Sequence, residues 1–140
     1  MKQVIATALD DIAYYGYNKL ARIVVLMLAL LLNIGFFLPK VPSEVDGFSI
    51  GAIPGIDKVV HLGVFALTAW AIGRLLAPAR KYPIGIIVAA LAVYAVFIEI
   101  VQGLLLPTRS ADPLDVLFDW IGIALGVAIW YFERKRNGLV

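Results

Sequence analysis

Apolar residues gather in four blocks, 20–38, 58–76, 84–106 and 114–132, each broken by only a few polar positions. About 20 apolar residues in helical conformation cross the hydrocarbon of a bilayer, so each block is predicted to be a transmembrane helix. The interruptions are Arg22 and Asn33 in the first block and His61 and Arg74 in the second. The third contains Glu99 and Gln102, and the fourth Asp115 and Asp119. Helix breakers stand between the blocks: Pro39, Pro42, Pro54 and Gly55, then Pro78 and Pro83, then Pro107 and Pro113. Before the first block, Val4, Ile5, Ala8, Ile12 and Tyr15 recur at helical spacing, which predicts a short interfacial helix over 1–18. Asp10 and Asp11, and the lack of a small-residue cleavage site after the apolar run, argue against a cleaved signal there.

Composition sharpens this picture. Hydrophobic residues make up 62% of the chain and charged residues 16%, far from the balance of a soluble domain. That excludes a disordered chain and a nucleic-acid-binding surface. The absence of cysteine excludes disulfides, thiolate metal clusters and a cysteine nucleophile. The small net charge of +2 is unevenly placed. Lys2, Lys19, Arg22, Arg74, Arg80, Lys81, Arg134, Lys135 and Arg136 fall on one side of the predicted membrane, and only Lys40, Lys58 and Arg109 on the other. Positive loops stay inside, so both termini are expected in the cytoplasm. The expected fold is an all-α, integral membrane four-helix bundle over 19–136, multi-pass in the cell membrane, with the interfacial segment over 1–18 in front of it. No internal repeat marks an inverted-repeat transporter.

Ionisable groups within a span cost roughly 2.5–3.5 kcal/mol each near its centre and are functional suspects. At 1.5 Å per residue, His61 lies about 5 Å below the outer end of its helix, Glu99 about 10 Å and Asp119 about 9 Å. Three helices thus bring polar groups to similar depth, with Lys58, Gln102, Arg109 and Asp115 around them. The helical faces agree. Asp115, Asp119, Gly122 and Gly126 form one stripe; Ala92, Ala95, Glu99 and Gln102 a second; Lys58, His61, Phe65 and Thr68 a third. Gly122 and Gly126 also make a GxxxG pair, which serves packing within the chain or between copies. A polar cavity open to the outer surface and closed below by small residues is expected.

Plainer roles compete for several of these residues. Asp57 and Asp112 stand where helix N-caps are expected, and Asp115 falls in a first turn, where the helix dipole favours a carboxylate. Lys58 has the reach to snorkel to the interface. His61 alone reads as a hydrogen-bonded packing residue, and only its depth match with Glu99 and Asp119 raises it. Glu99 has the weakest structural excuse, because helix formation never asks for a buried carboxylate.

Asp57-Lys58-x-x-His61-x-x-x-Phe65, then Glu99-x-x-Gln102, then Arg109-x-x-Asp112-x-x-Asp115 with Gly122 and Gly126 beyond, resembles the VanZ-like family. The resemblance runs from about Asp57 to Gly126 and includes the order of the helices. One departure is Asp119, where the family often has asparagine. The resemblance implies a bacterial membrane protein of several spans, in a family named for a member linked to low-level resistance to teicoplanin. It supplies no biochemical activity.

Two functions fit the residues. In an enzyme at the outer boundary of the membrane, acting on an envelope lipid or lipid-linked saccharide, Glu99 and His61 would be the acid–base pair. Lys58 and Arg109 would orient a headgroup phosphate, with Gln102 and Asp112 beside them, while Asp115 and Asp119 would position Arg109, a water or a metal. His61 and the carboxylates can hold a divalent ion, although no HExxH-type spacing is present. Alternatively the protein binds a headgroup or cell-wall precursor without turnover. An ion-conducting path comes third, since few polar groups continue below the cluster. With five carboxylates against Lys58 and Arg109, the formal sum of the site is −3, so it needs protons, a bound cation or an ion-pair network. The loop over 39–56 is placed to cover the outer opening or to lie on the lipid surface.

Overall fold

The computed structural model describes residues 19–40, 53–76 and 84–136. The interfacial helix expected over 1–18, most of the 39–56 loop and the second connector lie outside the described residues. Those described are all-helical, with no strand among them. The helices are α1 (Lys19–Ile34), continued by a 3₁₀ turn (Gly35–Phe37), α2 (Ile56–Leu76), α3 (Ile84–Leu105) and α4 (Pro113–Arg136).

Each boundary has a local cause. The 3₁₀ turn ends at Leu38, which takes extended dihedrals (φ −91°, ψ 145°), as a residue before proline must. Gly55, at φ +79°, turns the chain into α2, a conformation that favours glycine. That start lies two residues earlier than the apolar block beginning at 58. Asp57 therefore falls in the first turn rather than at the N-cap, and its carboxylate meets Lys40 Nζ at 3.3 Å. Asp112 does cap α4: its Oδ1 accepts from Leu114 N at 2.9 Å, with Pro113 at the first helical position.

Helices α2, α3 and α4 are long and apolar enough to cross a membrane, at 21, 22 and 24 residues. The first apolar block is a shorter helix. At 16 residues, α1 spans about 24 Å, and the 3₁₀ turn extends it. The bundle is apolar outside and partly polar inside. Leu20, Leu31, Ile86, Val93, Leu104 and Phe132 are all exposed, whereas His61, Thr68, Glu99, Gln102, Asp115 and Asp119 are buried. This distribution suits a hydrocarbon solvent, in which polar groups must be satisfied within the protein.

The dominant interface joins α2 to α4. A Cβ on Gly122 or Gly126 would collide with the backbone carbonyl oxygens of Leu62 and Ala66, so GxxxG brings these two backbones of one chain together. Helix α1 docks on α2, where Asn33 Nδ2 donates to Thr68 Oγ1 at 2.9 Å. At mid-height Phe65, Ala69, Ala95, Ile98 and Ile123 form an apolar core with Phe36. Asn33 and Thr68 are the buried polar pair between the two ends of the bundle among the described residues. At the far end Arg74 and Arg134 are themselves buried, their guanidinium groups over the Trp70 and Trp130 rings at 4.4 and 5.2 Å. Arg74 is thus packed against an aromatic ring inside the bundle, not an exposed interfacial anchor.

Candidate functional site

At one end of the bundle, α2 begins, α3 ends and α4 begins, and their polar residues form two connected strings. Lys58 sits between two carboxylates, with Nζ 2.8 Å from Asp112 Oδ2 and 3.1 Å from Asp115 Oδ1. From Asp112 the backbone N–H donates to Glu99 Oε2 at 2.8 Å. From Asp115 the second string passes inward: Oδ2 lies 3.8 Å from His61 Nε2, and His61 Nδ1 lies 2.9 Å from Asp119 Oδ1. The imidazole and the Asp119 carboxylate are both sealed from solvent, at 0% exposure. Asp112, on the connector, is held below the usual carboxylate range by the Lys58 ammonium first and by the Leu114 N–H second.

The helix faces read from the sequence account for this gathering. Asp115, Asp119, Gly122 and Gly126 are all buried along one stripe of α4. Ala95, Glu99 and Gln102 are buried on α3, while Ala92 is half-buried and accepts a hydrogen bond from Trp120 Nε1. His61, Phe65 and Thr68 are buried on α2, with Lys58 at its mouth.

Two of the expected site residues hold the scaffold by contacts the sequence did not foresee. Arg109 Nε donates to Leu38 O at 2.9 Å and Nη2 to Gly35 O at 3.2 Å. Its guanidinium secures Leu38 O, just past the end of α1, and Gly35 O, which also accepts from Leu38 N–H, and does not bridge carboxylates. Gln102 Nε2 likewise donates to Phe36 O, at 2.8 Å. These bonds fix the 3₁₀ turn and so place Phe36, whose ring centre lies 4.5 Å from that of His61.

Phe36 and Lys40, outside the expected set, belong to this end, and Asp57, expected only as a cap and a charge, joins the cluster. Phe36 walls off His61, Lys40 pairs with Asp57, and Asp57 itself faces His61 and Asp115. For Asp57 the signal was present: Asp57 and His61 are four apart, hence on one helical face. Phe36 carried no signal, because one aromatic residue in an apolar run does not reveal its neighbour.

The expected open cavity takes the form of a flank groove beside the sealed cluster. A groove of about 480 Å³ is lined by Glu99, Ile100, Gly103, Leu104, Arg109, Ser110 and Ala111. A second, apolar groove of about 350 Å³ runs along α3 and α4, and the two share Ile100. Glu99 Oε1 itself is buried without a hydrogen-bond partner.

These features define a helical membrane protein with a His–carboxylate cluster inside one end of its bundle. The model of the VanZ/LLP1 family matches residues 6–134, nearly the whole chain, and the protein belongs to that family. No curated protein and no solved structure matches it.

Proposed function

We propose that this VanZ-like protein is a multi-pass protein of the bacterial cell membrane that acts on an envelope lipid or lipid-linked cell-wall component at the extracytoplasmic face. The observation that carries this reading is the groove beside Glu99. Its lining combines polar Glu99, Arg109 and Ser110 with apolar Ile100 and Leu104. It shares Ile100 with the apolar groove that includes Val93, Val96, Phe97 and Trp120. A headgroup fits the first part and a hydrocarbon chain the second, an arrangement that a water-soluble substrate would not need. Arg109 is the cation at the headgroup end, and Lys58 orders the carboxylates behind it. Glu99, with one oxygen held by the Asp112 N–H and the other free, is the acid–base candidate, supported by His61. The uneven spread of lysine and arginine supports cytoplasmic termini and an outward-facing site. A place in glycopeptide (teicoplanin) resistance follows from the family's name alone.

Side and chemistry are tested together. The chain has no native cysteine, so Ser110→Cys supplies a unique label site beside the groove. A membrane-impermeant maleimide is expected to label it in intact cells; labelling only after lysis would reverse the orientation. Purified protein is then incubated with liposomes of bacterial polar lipid extract, and the lipids are followed by mass spectrometry. An enzyme converts one of them, and Glu99→Gln abolishes conversion while lipid remains bound. If neither form converts any lipid and Glu99→Gln loses bound lipid, the protein is a headgroup-binding accessory protein, the second reading of the same groove.

A further inference from the structure

We propose that Asp57, His61 and Asp115 form a binding site for a divalent transition-metal ion of the zinc class, with Asp119 orienting the imidazole. The proposal stands apart from the lipid reading, because none of its three ligands lines the flank groove.

The three side chains each present one ligand atom, and these atoms all lie within 4.8 Å of one another. Zinc–ligand bonds of about 2.0–2.1 Å in a tetrahedral arrangement bring ligand atoms to roughly 3.3 Å apart, so the set must draw in modestly. His61 Nε2 and Asp115 Oδ2 are already at 3.8 Å. Asp57 has the freedom to close the rest, since its side chain is 40% exposed. One imidazole and two carboxylates form a donor set for zinc, cobalt or manganese, and three protein ligands leave a fourth position open.

A second observation on His61 points to a ligand. Its Nε2 is buried and has no hydrogen-bond partner, although the residue is wholly enclosed. A buried polar atom left unpaired is costly and asks for a partner. Its other nitrogen is consistent with a ligating ring. Nδ1 meets Asp119 Oδ1 at 2.9 Å, and against an ionised carboxylate, which only accepts, Nδ1 carries the proton. In the neutral ring Nε2 then offers its lone pair toward Asp57 and Asp115. Carboxylate, histidine and metal in that order is the recurring way a ligating imidazole is fixed.

Charge supplies a third, independent argument. Asp57, Glu99, Asp112, Asp115 and Asp119 gather here, while the cations paired with them are Lys40 and Lys58. Arg109, the remaining cation of this end, is directed to the carbonyl groups of Gly35 and Leu38. A dication at the proposed site offsets the carboxylate excess where the dielectric is low.

Detergent-purified full-length protein, stripped with chelator, is titrated with CoCl₂ and followed by visible absorption, then challenged with ZnCl₂. One equivalent of Co²⁺ with a tetrahedral spectrum, displaced by Zn²⁺, is expected. Asp57→Asn and His61→Ala should each weaken Co²⁺ binding at least about 100-fold, and Asp119→Asn by no more than about 10-fold, because the amide oxygen still accepts from Nδ1 while the charge is lost. Asp57 is partly exposed and outside the core, so its variant keeps the test decisive if His61→Ala does not fold. No stoichiometric binding by the wild type, or equal binding by wild type and Asp57→Asn, overturns the proposal. In the first case His61 and its carboxylates are a structural network; in the second the ion is adventitious.

Discussion

Gly126→Leu is expected to abolish the folded bundle, while Gly63→Ala in the partner helix leaves it intact. A Cβ at Gly126 would overlap the backbone carbonyl oxygen of Ala66 and press on Ala69 Cβ at 3.0 Å. A side-chain clash is relieved by a rotamer change, but a clash with backbone forces the helices apart. Overpacking costs typically 1–3 kcal/mol and more when backbone must move, so at least about 3 kcal/mol is expected here. The loss spreads, because the α2–α4 interface also sets His61 against Asp115 and Asp119. Around Gly63 there is nothing within 4 Å, and alanine there removes a helical glycine, for a gain of about 0.5–1 kcal/mol. Thermal unfolding in detergent, followed by tryptophan fluorescence, reads both. A Gly126→Leu protein melting with the wild type would mean that GxxxG does not hold the bundle together.

Asp119→Leu and Asp119→Asn are expected to part company. Leucine removes the acceptor for His61 Nδ1 in a place that water does not reach, since both side chains are fully enclosed. Breaking a buried pair by deleting one partner costs about 3–5 kcal/mol, far more than the ~0.6 kcal/mol average for a hydrogen bond between membrane helices that can find substitutes. The lower end is expected here, because leucine also relieves the cost of burying a carboxylate. Asparagine keeps an oxygen that accepts from Nδ1 and should stay within about 1 kcal/mol of the wild type. Denaturation in mixed micelles distinguishes the two variants. Equal stability of Asp119→Leu and the wild type would remove the His61–Asp119 bond from the account.

Much of this arrangement was legible because membrane helices have few polar residues and a fixed period. Glu99, His61 and Asp119 stood out against apolar runs, and the 3.6-residue repeat put Asp115, Asp119, Gly122 and Gly126 on one stripe, all of them buried. Helix ends were readable where proline or glycine set them, as at Pro113. The length of α1 was not. Its apolar run continues through Phe36 and Phe37, and hydropathy does not distinguish an α-helix from the 3₁₀ turn that replaces its last turn. The partners of Arg109 were hidden for a related reason. Charge suggested carboxylates, but the backbone carbonyls of Gly35 and Leu38 lay nearer, and their position is a tertiary fact. The flank groove was hidden similarly, since it depends on how the 106–112 connector folds back beside Gly103, against Ala111.

Native mass spectrometry of the detergent-purified protein, with Ile100→Trp and Glu99→Gln beside it, tests the central claim most directly. Ile100 lines both grooves, is 52% exposed and is not one of the buried core residues. The account predicts one lipid retained by the wild type and lost from Ile100→Trp, with the lipid's mass naming the substrate class. A protein that flies bare, or an adduct indifferent to both substitutions, would contradict it and leave the polar cluster as structure alone.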